Sequence, residues 1–310
     1  MTDLTTRSGA PLSKLTFGAM QFGGKADQAE SEAMFHAAYD GGINHFDTAY
    51  IYTEGASETI LGPLIKPARE DIYLATKAGY SHGASRAKIL EHFDISRQRM
   101  NEDAVDLLYM HRFDDDTPLE ETFSTLAELQ SQGLIRHIGV SNYAAWQVMK
   151  AQAVAQKLGT KIDVIQPMYS LVKRQSEVEL FPMAADQNIT AVPYSPLGGG
   201  LLTGKYAKGE TGRLTEDARY KSRYDQAWMH ETAQKLSELG AELGTNPATL
   251  AVAWAAAHKV KPRPIVSARS TAQLRPSLAA LSFEMGSELY DRIAALSITP
   301  PPATDRLEEL

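Results

Sequence analysis

An aspartate, a tyrosine, a lysine and a histidine carry the chemistry that this sequence can be read for. Asp47 and Tyr52 lie in GINHFDTAYIYTEGASETILG, Lys77 closes YLATK, and His111 closes LLYMH. A phenol titrates near about 10, so it donates a proton poorly at neutral pH unless its surroundings stabilise the phenolate. A buried ammonium beside it does so, and a carboxylate behind the ammonium keeps the lysine charged despite desolvation. Tyr52 then reads as a general acid, Lys77 as the group that lowers its pKa, and Asp47 as the anchor of the lysine. The His111 imidazole could hold a substrate oxygen in line with the phenol hydroxyl. Such an acid protonates a developing alkoxide, as carbonyl reduction requires when a cofactor supplies hydride.

Each residue alone has a plainer role. An aspartate at a strand end is commonly a cap, a loop tyrosine packs, a lysine is a solvated charge, and a histidine is a satisfied polar group. His45 and His111 near Asp47 also permit a metal site, although no third ligand is evident in the sequence. Spacing alone therefore leaves the constellation open, and the elements that position it must decide.

Short β-branched or aromatic runs alternate with stretches of helical period. The strand candidates are 15–20, 44–47, 72–77, 106–111, 136–141, 164–166, 190–195 and 263–266, and the main helix candidates are 28–41, 85–100, 119–132, 144–158 and 176–188. Asp116–Thr117–Pro118 offers a capping side chain ahead of a proline in the first helical turn, and Gly133 lies just past that helix. The apolar-rich stretch 248–258 reads as a buried helix. The alternation suits a (β/α)8 barrel or a doubly wound sheet. Asp47, Lys77, His111, Ser141, Asn142, Gln166, Tyr194 and Ser195 all fall at C-terminal strand ends, which a barrel gathers on one face. The first turn, FGAMQFGGKADQ, lacks the glycine spacing of a doubly wound dinucleotide fold. A barrel is therefore expected.

The chain has 310 residues, 43% of them hydrophobic, with a net charge of −7 and no cysteine. This balance argues against nucleic acid as a partner. It excludes disulfides and thiolate chemistry, and it suits a reducing cytoplasm. No stretch reaches the roughly 18 apolar residues of a membrane span, and the N-terminus lacks a signal-peptide pattern. Length alone suggests about two domains, but barrels of this size fold as one, so a single domain over 1–310 is expected. The polar segment 205–225 reads as a mobile surface excursion and the proline-rich end, 298–310, as a tail or flap.

At the motifs GINHFDTAYIY, YLATK, HRFDDDTPLEETF, GLIRHIGVSN, VIQ, YSPLGGGLLTGKY and PIVSARSTAQL, the sequence resembles the aldo-keto reductase family over almost its full length. The resemblance implies a (β/α)8 barrel whose bottom is closed by an N-terminal β-hairpin, at Asp3–Leu15 within residues 1–15. It implies NADPH as cofactor, with NADH possible, and a catalytic set of Tyr52 as acid/base, Lys77 and Asp47 as its partners, and His111 as substrate orienter. Ser141, Asn142 and Gln166 match the groups that bond the nicotinamide carboxamide, and Tyr194 matches the aromatic that stacks on its ring. Ser195, Pro196, Leu197, Gly198, Gly200 and Leu201 match the loop over the pyrophosphate, with Lys205 adding charge. Ser267, Arg269, Gln273 and Ser277 match the adenosine end, and Gly18, Ala19, Met20 and Asp47 complete the cofactor contacts.

Two departures affect the phosphate end. Ser277 stands where many members have an asparagine, and Ser267 where some have a lysine, which leaves Arg269 as its clear cation. Met20, Tyr52, Tyr80, His82, His111, Phe113 and Trp228 are the candidate substrate contacts, with the tail as a possible wall. The expected activity is hydride transfer from NADPH to an aldehyde or ketone, reversible as alcohol oxidation. The pattern looks like the bacterial and plant branch with aldehyde and pyridoxal reductases. The rival reading is a cofactor-sensing subunit like the channel-associated members of the superfamily. One chain holds the whole site, so a monomer or weak homo-oligomer suffices.

Overall fold

The computed structural model describes residues 4–81 and 83–309. The apolar runs form strands because both of their faces are covered, which favours near-continuous hydrophobic sequence over alternation. They are β1 (Thr16–Gly18), β2 (His45–Asp47), β3 (Tyr73–Ala78), β4 (Val105–Met110), β5 (Ile135–Ser141), β6 (Val164–Gln166), β7 (Thr190–Ala191) and β8 (Ile265–Val266). All paired neighbours are parallel, in the order β7-β6-β5-β4-β3-β2-β1-β8. The ends of that series also meet: the amides of Arg263 and Ile265 donate to the carbonyls of Ala191 and Pro193 at 2.9 and 2.8 Å. The sheet therefore curls until β8 reaches β7, in the manner of a (β/α)8 barrel.

The helices between strands are α1 (Gln28–Asp40), α2 (Ala56–Ile65), α3 (Arg86–Met100), α4 (Leu119–Ser131), α5 (Ala145–Lys157) and α6 (Leu180–Asp186). After β7 come α7 (Arg213–Glu216), α8 (Ala218–Tyr224), α9 (Ala227–Glu242) and α10 (Pro247–Ala257), and after β8 come α11 (Thr271–Leu278) and α12 (Ser287–Ala294). Helix α10 is apolar all round and buried from Ala248 to Ala256, with Asn246 accepting from the Ala248 amide as its N-cap and Pro247 in its first turn. Its expected burial is observed.

The outer core lies between sheet and helices. A smaller cluster fills the sheet's interior from Tyr73, Ala75, Leu107, Tyr109, Val164, Val192 and Ile265, and Leu4 and Leu12 complete it. Residues 4–15 cross the strands' N-terminal ends. Thr5 and Pro11 form one antiparallel bridge, and Arg263 and Arg136 donate to the carbonyls of Ser13 and Thr5 at 2.6 and 3.0 Å. Asp3 lies outside the described residues.

Several boundaries differ from expectation for identifiable reasons. Strand β7 stops at Ala191 because Pro193 has no amide to donate and Ser195 is left-handed at φ 62. The expected helix 176–188 is a short 3-10 turn, Gln175–Glu177, followed by α6. Pro182 is the third residue of α6, where its ring blocks continuation towards the N-terminus. Neither Asp116 nor Thr117 caps α4. Pro118 itself occupies the cap position, while Thr117 Oγ1 donates to Asp114 at 2.5 Å. Gly133 does lie just past α4, at φ 74. The largest correction concerns 205–225. Instead of a loose excursion it folds as a 3-10 turn, Lys205–Lys208, then α7 and α8, with Leu214 and Tyr224 buried.

Candidate active site

The strand ends bring the sequence candidates together. Asp47 closes β2 and Lys77 lies one residue from the end of β3, which pairs with β2 through His45–Tyr73, Phe46–Leu74 and Asp47–Ala75. The Lys77 ammonium donates to Asp47 Oδ1 and, at 2.7 Å, to the Thr48 carbonyl. It stands 4.9 Å from the centre of the Tyr52 ring. Tyr52 is held in place by a loop whose next residues, Thr53, Glu54 and Gly55, are all left-handed, with φ of 47, 56 and 97. Such strain persists only where surrounding contacts fix it. Here the Thr53 hydroxyl donates to the Phe22 carbonyl at 2.7 Å, and a Cβ on Gly55 would strike the Arg99 guanidinium. The His111 ring meets the Tyr52 ring edge-on at 5.7 Å.

A second layer holds these groups. Gln166 Nε2 donates to Asp47 Oδ2 at 2.9 Å, and the Ser141 hydroxyl donates to the Gln166 carbonyl at 3.0 Å. Asn142, left-handed at φ 59, donates from Nδ2 to the His111 carbonyl and to Ser141 Oγ, both at 3.0 Å. The Tyr194 hydroxyl donates to Asn142 Oδ1 at 2.7 Å.

Burial dominates the electrostatics. It raises the Asp47 carboxyl and lowers the Lys77 ammonium, while the contact between them works the other way. Burial, and then the Lys77 charge, pull His111 well below its usual range, so its imidazole is neutral near pH 7. Its Nδ1 is buried without a hydrogen-bond partner among the described residues. The phenol contradicts the simple sequence argument. Burial first, and then the Asp47 carboxylate, raise Tyr52 well above 10, with the Arg213 charge working the other way. Tyr52 is therefore protonated in the chain by itself, as a donor must be.

Tyr52 and His111 stand at one end of a cleft of about 1090 Å³ that reaches Arg269 and Gln273 at the other. Small-molecule pockets run to about 1,000 Å³ at the upper end, so the volume suits an extended dinucleotide together with a small substrate. In its middle, Gly199 and Gly200 have φ of 67 and 95, conformations that turn successive amides towards an anion. The Ser267 hydroxyl is buried without a partner among the described residues, and Arg269 pairs with Glu216 of α7 at 2.9 Å. These groups fit a phosphate-bearing cofactor.

The sequence pattern of the aldo/keto reductase family matches residues 14–298. The chain belongs to the aldo/keto reductase family. It is 34% identical over 305 residues to an uncharacterized oxidoreductase of Bacillus subtilis (strain 168), covering 91% of each. A probable voltage-gated potassium channel subunit beta of Oryza sativa subsp. japonica is 32% identical, across 96% of this chain and 97% of that protein. The L-glyceraldehyde 3-phosphate reductase of Escherichia coli O157:H7 is 29% identical, across 89% and 86%. Aldo/keto reductases generally use NAD(P)H.

Most family-matched positions line the cleft: Gly18, Met20, Asp47, Tyr52, Tyr80, His111, Ser141, Asn142, Gln166, Tyr194, Ser195, Pro196, Leu197, Gly200, Lys205, Ser267, Arg269 and Gln273. Others stand behind it. Ala19 is buried, its carbonyl accepting from Ser57 at 2.8 Å, and Leu201 and Ser277 are also buried away from the lining. Gly198 packs towards Val172 and Tyr224. Phe113 turns outward against Tyr143 and Trp146, at 5.1 and 6.0 Å. Trp228 bonds Gln226 at 2.6 Å, and neither it nor the tail contributes to the lining among the described residues. His82 lies outside the described residues. The sequence reading missed Lys25, Arg112, Arg213, Tyr220 and Arg223, which do line the cleft. Arg112 follows His111 directly and could have been found from that. The others sit in segments whose polarity reads as surface.

Proposed function

We propose that this chain reduces an aldehyde or ketone with hydride from NADPH, Tyr52 donating the proton. The observation that supports this best is the Tyr52 ring, 4.9 Å from the Lys77 ammonium and 5.7 Å from the neutral His111 ring, at one end of a dinucleotide-sized cleft. When bound, the cofactor supplies hydride to the carbonyl carbon. The chain's own work is to hold and move one proton. The carbonyl oxygen lies against the Tyr52 hydroxyl and the His111 ring, and the phenol proton passes to that oxygen as negative charge builds there. The phenolate left behind is stabilised by the Lys77 ammonium, whose position Asp47 and the Thr48 carbonyl hold. In the alcohol-oxidising direction Tyr52 accepts the proton instead.

Ser141, Asn142 and Gln166 would hold the nicotinamide end, Tyr194 would stack on its ring, and residues 195–201 with Lys205 would cradle the pyrophosphate. Arg269 would meet a 2′-phosphate, which favours NADPH over NADH. Residues 4–15 act as a hairpin closing the floor of a single barrel unit, and the molecule works in the cytoplasm as a monomer or weak homo-oligomer.

Tyr52→Phe tests the assignment. Turnover of aldehydes is expected to fall by about 10²–10⁴-fold, while NADPH binding, followed by fluorescence, stays within a few-fold. Near wild-type turnover in the variant removes Tyr52 as the acid. Relatives named as channel β subunits support a second reading, a cofactor-sensing subunit. Oxidation of NADPH on adding a panel of aldehydes separates the two, since a sensor turns over very slowly.

A further inference from the structure

The cleft's catalytic end carries more positive charge than proton transfer needs. Arg112 immediately follows His111, so its backbone is one residue from the imidazole's, and its side chain lines the same cleft. Helix α8 adds Arg219, Tyr220 and Arg223 to the lining of the same cleft. Two guanidinium groups approach the Tyr220 ring, Arg213 at 5.2 Å and Arg223 at 5.7 Å from its centre. The Arg213 and Arg223 charges reach the Tyr52 and Tyr194 phenols respectively.

These cations differ in what already neutralises them. Arg219 is paired with Asp217 at 2.9 Å. At the far end of the cleft Arg269 and Lys25 share Glu216, at 2.9 and 3.7 Å. Arg112 and Arg223 have no carboxylate within ion-pair distance among the described residues, and both are solvent-accessible. An arginine fork presents parallel donors that match a carboxylate or phosphate. Arg112 follows His111 in the chain, and the Arg223 charge acts on the Tyr194 phenol. His111 and Tyr194 are joined through Asn142, which donates to the His111 carbonyl at 3.0 Å and accepts from the Tyr194 hydroxyl at 2.7 Å.

We propose that Arg112 and Arg223 form an anion subsite, so that the substrates are carbonyl compounds carrying a carboxylate or phosphate remote from the reacting carbon. This rests on the reductase reading, and Arg223 contributes the greater part because its guanidinium also packs on the Tyr220 ring, 5.7 Å from its centre.

Matched substrates test it. With wild-type protein, the acid 4-carboxybenzaldehyde is expected to exceed its methyl ester in kcat/KM by about tenfold or more, the gain coming from a lower KM, and the ratio should shrink as salt rises. A second pair, 4-formylphenyl phosphate against 4-methoxybenzaldehyde, tells which anion is preferred. Arg223→Met is expected to cut the acid-to-ester ratio about tenfold, and Arg223→Lys to restore part of it. A wild-type ratio near one overturns the subsite. So does a ratio unchanged in both Arg223→Met and Arg112→Met, or a loss in Arg223→Met that appears only in NADPH affinity. Calorimetry with the unreactive 4-carbamoylbenzoate and its methyl ester on the NADPH-loaded protein separates the two levels of inference. Arg223-dependent preference for the acid without turnover of any aldehyde leaves the subsite standing and overturns the reductase reading. No preference in binding, with turnover of both aldehydes, does the reverse.

Discussion

At the scale of single residues, the site depends on a buried charge pair whose members need each other. Lys77 and Asp47 are almost wholly inaccessible, and Asp47 has one other hydrogen-bond donor nearby, Gln166 at 2.9 Å. Lys77→Met leaves a buried carboxylate without its cation, so the unfolding free energy should drop by about 3–5 kcal/mol in urea titration. Adding Asp47→Asn should recover most of that loss and none of the turnover. A single variant as stable as wild type would mean that Asp47 finds another partner. The four candidates were readable in the sequence because each has a reactive side chain at or just beyond a strand end. The direction of the phenol's shift was not. It depends on burial first and then on the Asp47 charge, and only the folded structure combines those contributions.

At the scale of elements, the segment 205–225 carries the main lesson. Its composition is polar and charged, which sequence rules assign to a surface loop. Two of its apolar side chains, Leu214 and Tyr224, nonetheless bury and fold α7 and α8 against the cleft. Glu216 on α7 then reaches Arg269 at 2.9 Å and Lys25 at 3.7 Å, joining this segment to the end of the cleft away from Tyr52. Glu216→Gln should release bound cofactor faster, by about two- to fivefold, because exposed ion pairs are individually weak. Stopped-flow fluorescence reads that rate, and an unchanged rate means α7 does not retain the cofactor. Close approach of this segment depends on glycine: a Cβ on Gly199 would sit 2.9 Å from the Tyr220 ring.

At the scale of the whole molecule, closing the sheet buries histidines that water would otherwise protonate. Burial, with the Arg263 and Lys77 charges, lowers His45 to about 3, and His111, His137 and His258 are also lowered, chiefly by burial. In the unfolded chain a histidine takes up its proton as pH falls through about 6.5. Below that pH the unfolded state binds more protons than the folded one. Stability present above pH 6.5 is therefore lost on acidification, by up to ~1.4 kcal/mol per pH unit for each fully buried imidazole. Urea midpoints measured from pH 7 to pH 4.5 should fall accordingly, and His45→Asn should flatten the slope. A slope unaffected by that change would assign the acid sensitivity to other groups.

The sequence by itself determined what is local or periodic. Parallel strands buried on both faces declare themselves as apolar runs, the reactive residues mark the strand ends, and the family motifs follow one another along the chain. Tertiary structure decided what depends on distant segments meeting. Pairing of β2, β3 and β4 sets Asp47, Lys77 and His111 side by side. The backbone bonds from Arg263 and Ile265 to Ala191 and Pro193 bring β8 to β7, and the curled sheet lets Gln166 of β6 reach Asp47 of β2 at 2.9 Å. The same folding puts Arg112 and Arg223 on the lining of one cleft, residues more than a hundred positions apart whose types alone read as solvated charge. Hydrophobic pattern is inscribed residue by residue, but pKa, cleft shape and the sharing of charge arise only from neighbours in space.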